Sequence, residues 1–393
     1  MTERLCHGLV VGKFYPPHRG HQFLAEQAAA RCAQVTVLVM AAECETLTLA
    51  DRVAWLRAAC AGLPEVTVAG VRCDVPTDLS DAAVWAAQVA VMRAALERDR
   101  RPPVDAVFSS EPYGAELAAR LRARHVSVDP GRQAVPVSAS QIRADLAGRW
   151  DDLTGPAQAG LAARIVLVGA ESTGTSTIAE LLADHYRLRG GAWARTRCVT
   201  EAGRDYTATK WQQARSAAVA AGRPEPALEE LEWTAPDFDA VAAEQTRREN
   251  EAAAAGSPLV VCDTDAFATS VWERRYLGGR ARGLQPWATS GLPRHDVYLL
   301  TSHEGVPWHD DGLREGDLAV RAAMTDWFAE ALTTAGHSWV LLTGSIEDRL
   351  ALAVRVTDQM LRNRASFGPA ITDIVEAGAR EGNGMSLVTE ARG

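Results

Sequence analysis

The chain has 393 residues, too many for one comfortable hydrophobic core, and this length predicts two or three domains. Apolar residues make up 47% and charged residues 23%, a composition that excludes disorder for most of the chain. The formal net charge of −9 argues against a dedicated nucleic-acid-binding protein, which usually presents a basic face.

Membrane, secretory and disulfide signals are weak throughout. The longest stretch without Asp, Glu, Lys or Arg, residues 331–346, is shorter than the ~18 residues that a membrane helix needs. No charged-then-apolar leader opens the chain, so we expect no secretory signal. The seven cysteines form neither a C-x-x-C pair nor a zinc-like Cys/His cluster, which favours reduced thiols. We therefore expect a cytoplasmic protein with no membrane contact, whose oligomeric state, including a homo-oligomer, stays open.

The first part of the chain alternates strand-like and helix-like patterns. Continuous apolar runs at Leu5–Val11 and Val35–Met40 have the length and branching of buried parallel strands. Two further strand patterns follow at Asp105–Ser110 and His125–Asp129. Helical patterns occupy residues 21–31, 49–60, 81–97 and 115–124. This alternation predicts βαβ units and a parallel sheet that helices cover on both faces.

A second series begins after residues 151–163, a turn-rich and alanine-rich segment that we interpret as a linker. Strand patterns lie at residues 164–168, 195–200, 259–263, 297–300 and 339–342. Helical patterns lie at residues 175–186, 237–255, 267–276 and 317–334, and after residue 346. The chain is therefore predicted to form two α/β parallel-sheet domains, residues 1–150 and 164–364, followed by a tail, residues 365–393, of unknown structure.

The segment GKFYPPHRGH, residues 12–21, directly follows the first strand and opens a helix. Two imidazoles three residues apart at a helix start, His18 and His21, can both face an anion, and Lys13 adds a positive charge. This chemistry suits displacement at phosphorus, where positioning and charge neutralisation supply most of the catalysis. The alternative is that both histidines are satisfied within a turn.

Three segments together resemble the nucleotidyltransferase superfamily and, within it, the NadR-type nicotinamide mononucleotide (NMN) adenylyltransferases. They are the H-x-G-H segment, VSASQIR at residues 137–143 for the family's I-S-x-T-x-I-R, and SEPYG at residues 110–114. Ser140 replaces the family threonine and keeps a hydroxyl group. Taken alone, VSASQIR is also the pattern of an ordinary serine-capped helix.

The resemblance implies a Rossmann-like domain that transfers AMP from ATP to NMN. It assigns the ATP phosphates and catalysis to Lys13, His18, His21 and Arg143. It assigns nucleotide or NMN binding to Gly12, Phe14, Tyr15, Pro16, Ser109, Ser110, Glu111, Ser138 and Ser140.

A second phosphate-binding pattern, GAESTGTST at residues 169–177, follows an apolar strand and precedes a helix. It matches the P-loop pattern except that Thr175 stands where the lysine is expected. Backbone N–H groups and a helix start can still hold phosphates, so we expect ATP to bind here. The candidate residues for ATP binding are Gly169, Glu171, Ser172, Gly174, Thr175, Ser176 and Thr177.

Four more segments accompany this loop: EAGR at residues 201–204, WTAPDF at 233–238, DTD at 263–265 and VPWHDDGLR at 306–314. Separately they read as a salt-bridged helix start, helix caps and a turn. With the loop they resemble the ribosylnicotinamide kinase domain of NadR-type proteins, and the whole resemblance spans about residues 5–360. It implies that Ser176 and Asp263 hold Mg²⁺ and that Glu201 is a catalytic base or ribose anchor. It assigns ribosylnicotinamide and a closing lid to Arg204, Trp233, Trp308, Asp311 and Arg314.

Two departures from the family stand out. The first strand begins at about residue 5, which leaves no room for the helix-turn-helix repressor domain of some members, so we expect no DNA binding by that route. The second departure is the missing P-loop lysine, whose loss should cost much transition-state stabilisation. Only two lysines are present in the chain, and Lys210, Arg314 and Arg321 are the candidates to replace its charge.

The resemblance predicts an NAD-synthesis enzyme that uses ATP and Mg²⁺, makes NAD from NMN, and phosphorylates ribosylnicotinamide to NMN. One alternative is an NMN adenylyltransferase whose P-loop domain only binds nucleotide and acts as a sensor. A further alternative is transfer from ATP or CTP to another phosphorylated metabolite.

Overall fold

The computed structural model describes residues 4–76, 78–283, 293–306 and 318–371. The chain divides into two compact units, residues 1–160 together with 365–393, and residues 161–364. Each unit is built on a five-stranded parallel sheet, which confirms the predicted fold class. The described residues 365–371, which belong to a segment that the sequence pattern left unassigned, are part of the first unit.

The sheet of the first unit has the strand order β3-β2-β1-β4-β5, with β1 in the middle. Its strands are β1 Leu5–Gly12, β2 Cys32–Ala41, β3 Val66–Arg72, β4 Ala106–Ser109 and β5 Arg124–Ser127. The helices are α1 Arg19–Ala29, α2 Leu49–Ala59, α3 Ala82–Arg98, α4 Tyr113–Leu121, α5 Ala139–Ala144 and α6 Gly155–Leu161. Helices α1 and α2 pack on one face of the sheet, and α3 and α4 pack on the other.

Two elements of this unit were not expected from the sequence. Strand β3 was missed because it is only half-buried and Gly70 interrupts its apolar residues. Helix α6 lies within the predicted linker; the proline at its second position is compatible with a first helical turn, and alanines follow it. Before α6, the buried side chains of Trp150 and Leu153 anchor the segment, and Leu153 forms a β-bridge with His18.

The second unit has the strand order β10-β9-β6-β8-β7, with β6 in the middle. Its strands are β6 Ala163–Gly169, β7 Arg197–Val199, β8 Leu259–Asp263, β9 Val297–Thr301 and β10 Trp339–Leu342. The helices are α7 Thr175–Arg187, α8 Ala202–Ala220, α9 Ala235–Ala254, α10 Ala266–Leu277, α11 Leu318–Thr334 and α12 Ile346–Ala365. Helices α7 and α12 share an apolar core with the sheet.

The topology brings the motif segments together. In the first unit β1 and β4 are neighbours, so the loops that follow Gly12 and Ser109 leave the same edge of the sheet. In the second unit β8 lies between β6 and β7, so the loops after Gly169, Val199 and Asp263 also share one edge. Crevices at the carboxyl ends of parallel strands are where ligands bind in such folds. Among the described helices, none is long and apolar enough to cross a membrane.

Gly70 offers a test of how α2 packs on β3. A Cβ at this position would lie 2.7 Å from Val53 Cγ2 and 2.8 Å from Leu49 Cδ1. Gly70→Ala should therefore destabilise the first unit by about 1–3 kcal/mol through overpacking. Thermal unfolding measures the change. The matched control is Gly62→Ala, where a Cβ meets nothing within 4 Å; equal effects from the two substitutions would contradict the packing argument.

Candidate active sites

The two motif histidines form the start of α1. His18 is the N-cap, and its Nδ1 accepts the Gly20 N–H at 3.1 Å. His21 Nδ1 accepts the His18 N–H at 3.2 Å, and the two rings stack with centroids 3.6 Å apart. Because each Nδ1 accepts a hydrogen bond, a neutral ring carries its proton on Nε2. The helix cap thus fixes both tautomers and leaves two Nε2–H donors.

Both imidazoles are held in the neutral form. Burial lowers the pKa of His18 to about 3, and the positive charge of Arg132 acts in the same direction. Burial, followed by the charges of His18 and Arg132, keeps the pKa of His21 well below its usual value. At neutral pH the pair can therefore donate hydrogen bonds to an anion without contributing charge, so neighbouring cations must supply the charge.

A buried ion pair supports the loop that carries Lys13. Arg52 Nη1 lies 2.6 Å from Glu45 Oε2 and donates to the Lys13 carbonyl at 3.0 Å. Lys13 Nζ lies 3.4 Å from the other oxygen of the Glu45 carboxylate. Both Glu45 and Arg52 have fully buried side chains. Neither residue was singled out from the sequence, yet together they position Lys13.

Tyr15 is held between two arginines and the returning end of the chain. The guanidinium carbon of Arg52 lies 4.7 Å from the Tyr15 ring centroid, and that of Arg143 lies 5.2 Å away. Arg143 Nη1 also donates to the Tyr15 carbonyl at 2.9 Å. The Tyr15 hydroxyl donates to the Gly368 carbonyl at 2.9 Å, and Phe367 contacts the ring edge-on. The segment after α12 therefore forms part of this site.

These groups surround a cavity of about 470 Å³. The predicted residues in its wall are Gly12, Lys13, Phe14, Tyr15, His18, His21, Ser110, Glu111, Ser138, Ser140 and Arg143. Ser138 is also the N-cap of α5, as the simpler interpretation of that motif holds. A second, more apolar cavity of about 530 Å³ shares Lys13 and Glu111 with the first and is lined by Trp85, Met40 and Met92.

Two of the predicted binding residues, Pro16 and Ser109, shape the loops beside the cavity. Pro16 is buried and follows a cis peptide bond from Tyr15. The Ser109 hydroxyl donates to the Glu111 carbonyl at 2.9 Å and is hydrogen-bonded to His125 Nε2 at 3.1 Å, so it shapes the loop after β4. Gly114 must be glycine here, because a Cβ would lie 1.8 Å from the Ser109 hydroxyl oxygen.

Arg132 is a site residue that the sequence did not reveal. It lines the first cavity, pairs with the Glu111 carboxylate and donates to the Val137 carbonyl at 3.3 Å. It lies on a turn in which the Asp129 carboxylate accepts hydrogen bonds from the backbone N–H groups of residues 133–135. An isolated arginine in a loop carries no motif signal, so only the fold brings it to the histidines.

The loop after β6 has P-loop geometry. Ser172 and Gly174 adopt left-handed backbone conformations, with φ of 55° and 86°, before α7 begins at Thr175. Inside the loop the Thr173 hydroxyl donates to the Ala170 carbonyl at 2.7 Å and is hydrogen-bonded to the Thr301 hydroxyl at 2.7 Å. Ser176 and Thr177 are exposed in the first turn of α7.

The structure does not place Lys210 at this loop. Its ammonium group lies 2.7 and 2.8 Å from the two oxygens of Asp237, which also accepts the Tyr206 hydroxyl at 2.7 Å. Partial burial opposes ionisation of Asp237, but the hydrogen bonds from Lys210, Thr234 and Tyr206 outweigh it and hold the pKa at about 2. Lys210 therefore ties α8 to the start of α9, and it lies 5.4 Å from the Trp233 ring centroid.

An aromatic crevice lies near the P-loop. Trp233 and Tyr276 stand with ring centroids 5.0 Å apart. The crevice also contains the predicted residues Glu171, Glu201 and Arg204. Glu201 Oε2 lies 4.0 Å from Arg204 Nε at the start of α8. Tyr276 was predicted only as part of a helix, since helical spacing does not tell a core aromatic residue from a ligand-binding one.

Gln245 links the two loops of this crevice. Its side chain accepts the Ala202 N–H at 2.9 Å and donates to the Thr264 carbonyl at 3.2 Å. Thr264 is a β-branched residue with φ of 73°, a strained conformation of the kind that clusters at functional sites. It separates two acids with different surroundings. Asp263 is buried at the end of β8, whereas Asp265 caps α10 and accepts the Tyr298 hydroxyl at 2.6 Å.

The predicted lid residues Trp308, Asp311 and Arg314 lie outside the described residues.

Comparison with known proteins agrees with both halves of this architecture. Residues 9–145 match the cytidylyltransferase-like family, and residues 164–349 match the AAA domain family. The NAD biosynthesis/regulator protein NadR of Escherichia coli (strain K12), described as trifunctional, is 24% identical over 321 residues, covering 78% of this chain and 71% of that protein. The chain is therefore similar in sequence to NadR over most of its length.

Other proteins of the same name show a similar degree of likeness. NadR of Salmonella typhimurium (strain LT2) is 24% identical over 340 residues, covering 83% of this chain and 76% of that protein. A NadR crystal structure in complex with NR has a TM-score of 0.60 at 18% identity, covering 91% of this chain and 97% of that one. Another, with NAD and AMP-PNP, has a TM-score of 0.58 at 19% identity, covering 91% and 98%. These NadR structures share the fold of both units.

Histidine-ring NMR of the intact protein tests the neutral state of the H-x-G-H pair. With pKa values lowered to about 3 for His18 and well below the usual value for His21, neither signal should titrate between about pH 5 and pH 8. His18→Gln and His21→Gln assign the two signals. Since the unfolded chain protonates near pH 6.5, acidification from about 6.5 towards 3 should destabilise the fold. Titration of either ring near pH 6.5 would contradict the assignment.

Proposed function

We propose that the protein makes NAD in two ATP-dependent steps, one in each unit. In the first unit the 5′-phosphate of NMN attacks the α-phosphorus of ATP, forming the new P–O bond of NAD and releasing pyrophosphate. The observation that carries this proposal is the stacked, capped pair of histidines in the wall of a cavity that Lys13, Arg132 and Arg143 also line. The NadR relatives, named for NAD biosynthesis, support it.

Some residues of this cavity orient the phosphates, and others neutralise their charge. His18 and His21 donate hydrogen bonds to phosphate oxygens, in an orientation that the helix cap sets before substrate arrives. Lys13, Arg132 and Arg143 neutralise the charge that grows on the departing pyrophosphate. Donors and cations placed in advance in this way supply much of the catalysis of phosphoryl and nucleotidyl transfer.

The apolar cavity beside this site suits the nicotinamide end of NMN. Trp85, Met40 and Met92 offer flat or adaptable apolar surfaces, and Glu111 lies in the wall common to both cavities. In this arrangement the NMN phosphate reaches the shared wall while the base stays on the apolar side. Ser109 and Ser110 then act through the loop that positions Glu111.

In the second unit the 5′-hydroxyl of ribosylnicotinamide attacks the γ-phosphorus of ATP, giving NMN and ADP. The crevice lined by Trp233 and Tyr276 is suited to a planar, cationic nicotinamide ring, which aromatic faces attract. Glu201 is the candidate base for the hydroxyl proton or the anchor of the ribose, and Arg204 adjoins it. A related NadR structure holds NR, and another holds NAD and AMP-PNP, which supports ligands of these classes.

The second unit also fits Mg²⁺. Asp263 offers a carboxylate at the end of β8, and Ser176 offers an exposed hydroxyl in the first turn of α7. Mg²⁺ prefers oxygen ligands and is usually held by one or two protein groups together with substrate phosphates and water. Within the described ranges no cluster of three or more acids, histidines or cysteines forms a separate metal cage. When bound, Mg²⁺ neutralises charge on the phosphates.

A nucleotide sensor is the second candidate for the P-loop unit, because Thr175 stands in place of the lysine. Product analysis of the purified protein separates the candidates. NAD formed both from NMN and from ribosylnicotinamide, each with ATP and Mg²⁺, is the expected result. NAD from NMN alone would leave the P-loop unit as a sensor. A panel of other phosphorylated acceptors, with ATP or CTP, checks that NMN is the preferred substrate.

His18→Ala and His21→Ala should each abolish NAD formation from NMN while leaving phosphorylation of ribosylnicotinamide intact. Loss of a preorganised donor costs about 10²–10³-fold in kcat. Asp263→Asn should give the opposite pattern. Full adenylyltransferase activity in either histidine variant would remove the basis for the first-unit assignment.

Arg132→Ala tests the cation that the sequence did not reveal. Because a hydrogen bond to a charged group contributes about 1.5–3 kcal/mol, the KM for ATP in NAD formation should rise about tenfold or more. The pKa of His18 should also rise, since one of the charges that lower it is gone. Arg72→Ala is the matched control, because Arg72 also pairs with a glutamate but does so on the exposed surface. An unchanged KM would exclude Arg132 from the phosphate site.

A further inference from the structure

Two buried arginines contact the P-loop backbone. Arg349 is fully buried, and its guanidinium donates to the carbonyls of Thr173 at 2.9 Å, Ser302 at 3.0 Å and Glu304 at 3.1 Å. Its Nε donates to the Gly344 carbonyl at 2.9 Å. Arg349 is therefore committed to backbone acceptors and holds the loop in place.

Arg321 is buried in a different way. It lies in the first turn of α11, with an exposed fraction of 1%. Its Nη2 donates to the carbonyls of Ser172 at 3.1 Å and Val306 at 3.4 Å. Its Nε and Nη1 are also buried and, within the described residues, have no hydrogen-bond partner. Two of the three guanidinium nitrogens thus remain unused beside the loop after β6.

This arrangement is costly without an anion. A buried guanidinium with unpaired N–H groups forfeits its hydration, and proteins retain such groups when a partner is supplied. Glu171 exerts an electrostatic attraction on Arg321, but no carboxylate of the described residues is hydrogen-bonded to it. The unused donors are thus a ready site for a negatively charged group that is not part of the described structure.

The P-loop lacks the lysine that usually supplies its positive charge. Thr175 stands at the lysine position, and Lys210 is ion-paired with Asp237. Among the described residues, the cationic side chains hydrogen-bonded to the loop backbone at Ser172 and Thr173 are Arg321 and Arg349. A guanidinium is always charged and carries several N–H donors that point in different directions, so an arginine can replace the charge of a lysine from a different direction.

We propose that Arg321 substitutes for the absent P-loop lysine, with an N–H group of Nε or Nη1 donating to an oxygen of the ATP β- or γ-phosphate. Arg349 acts as a positioning residue that fixes the loop against them. The proposal rests on the proposed kinase function only in that the second unit binds ATP.

The decisive experiment moves the charge from one residue to the other. Four forms of the full chain are compared: the wild type, Arg321→Ala, Thr175→Lys, and the double variant. Arg321→Ala should lower kcat/KM for ATP in ribosylnicotinamide phosphorylation by about 10²-fold or more, and NAD formation from NMN should be unchanged. Adding Thr175→Lys to Arg321→Ala should restore at least tenfold, which a merely structural role of Arg321 does not predict. Arg355→Ala, at an exposed arginine of α12, is the control and should leave both activities unchanged.

The single variant Thr175→Lys guards against misfolding of Arg321→Ala, because it leaves Arg321 in place. If Arg321 already supplies the charge, the added lysine changes kinase activity by less than about tenfold; a gain of about 10²-fold would overturn the proposal. Wild-type kinase activity that persists within about threefold in Arg321→Ala would also overturn it while leaving the proposed function intact.

A wild-type protein without kinase activity would remove the proposed kinase function. The role of Arg321 would then be tested by measuring how tightly the second unit binds ATP. In a background with His18→Ala and His21→Ala, titration calorimetry with ATP and with adenosine measures the second unit. At least tenfold weaker ATP binding in Arg321→Ala, with adenosine unaffected, would support the phosphate contact. Equal ATP affinity would exclude it.

Discussion

Both units depend on one constraint: the loop after the central parallel strand must lead into the start of a helix. Strand β1 lies between β2 and β4, and β6 lies between β8 and β9, so each loop leaves at a switch point of its sheet. An anion bound there meets the positive end of the helix dipole. The remaining side chains of each site either add charge to that position or hold the loop that forms it.

The two proposed sites neutralise the charge of phosphate by different means. In the first, His18 and His21 are held neutral, and the cations that the fold gathers around the same cavity are Lys13, Arg132 and Arg143. In the second, Thr175 stands at the lysine position, and the proposed source of positive charge is Arg321, which lies outside the loop motif. The difference is physical. A capped imidazole pair fixes direction, whereas a guanidinium supplies both direction and charge.

Buried and half-buried polar side chains explain how these loops keep their shape. Glu45 and Arg52 support the backbone of Lys13, Asp237 and Lys210 brace the helix start beside Trp233, and Arg349 holds the Thr173 carbonyl of the P-loop. Removing one partner of a fully buried pair such as Glu45 and Arg52 leaves an uncompensated charge, which is far more costly than losing an exposed salt bridge.

The features that depend on short-range spacing could be predicted from the amino-acid sequence alone. These are the two α/β series, the H-x-G-H helix start and the P-loop, because a strand, a loop and a helix start are contiguous in the chain. The sequence did not reveal β3, where Gly70 breaks the apolar pattern, or α6 within the expected linker. Only the tertiary structure brought Arg132 to the histidines, Tyr276 to Trp233, Arg321 to the P-loop and Gly368 to Tyr15. Each of these partners lies far away in sequence, and only the order of the strands and the packing of the helices decide which distant side chains share a site.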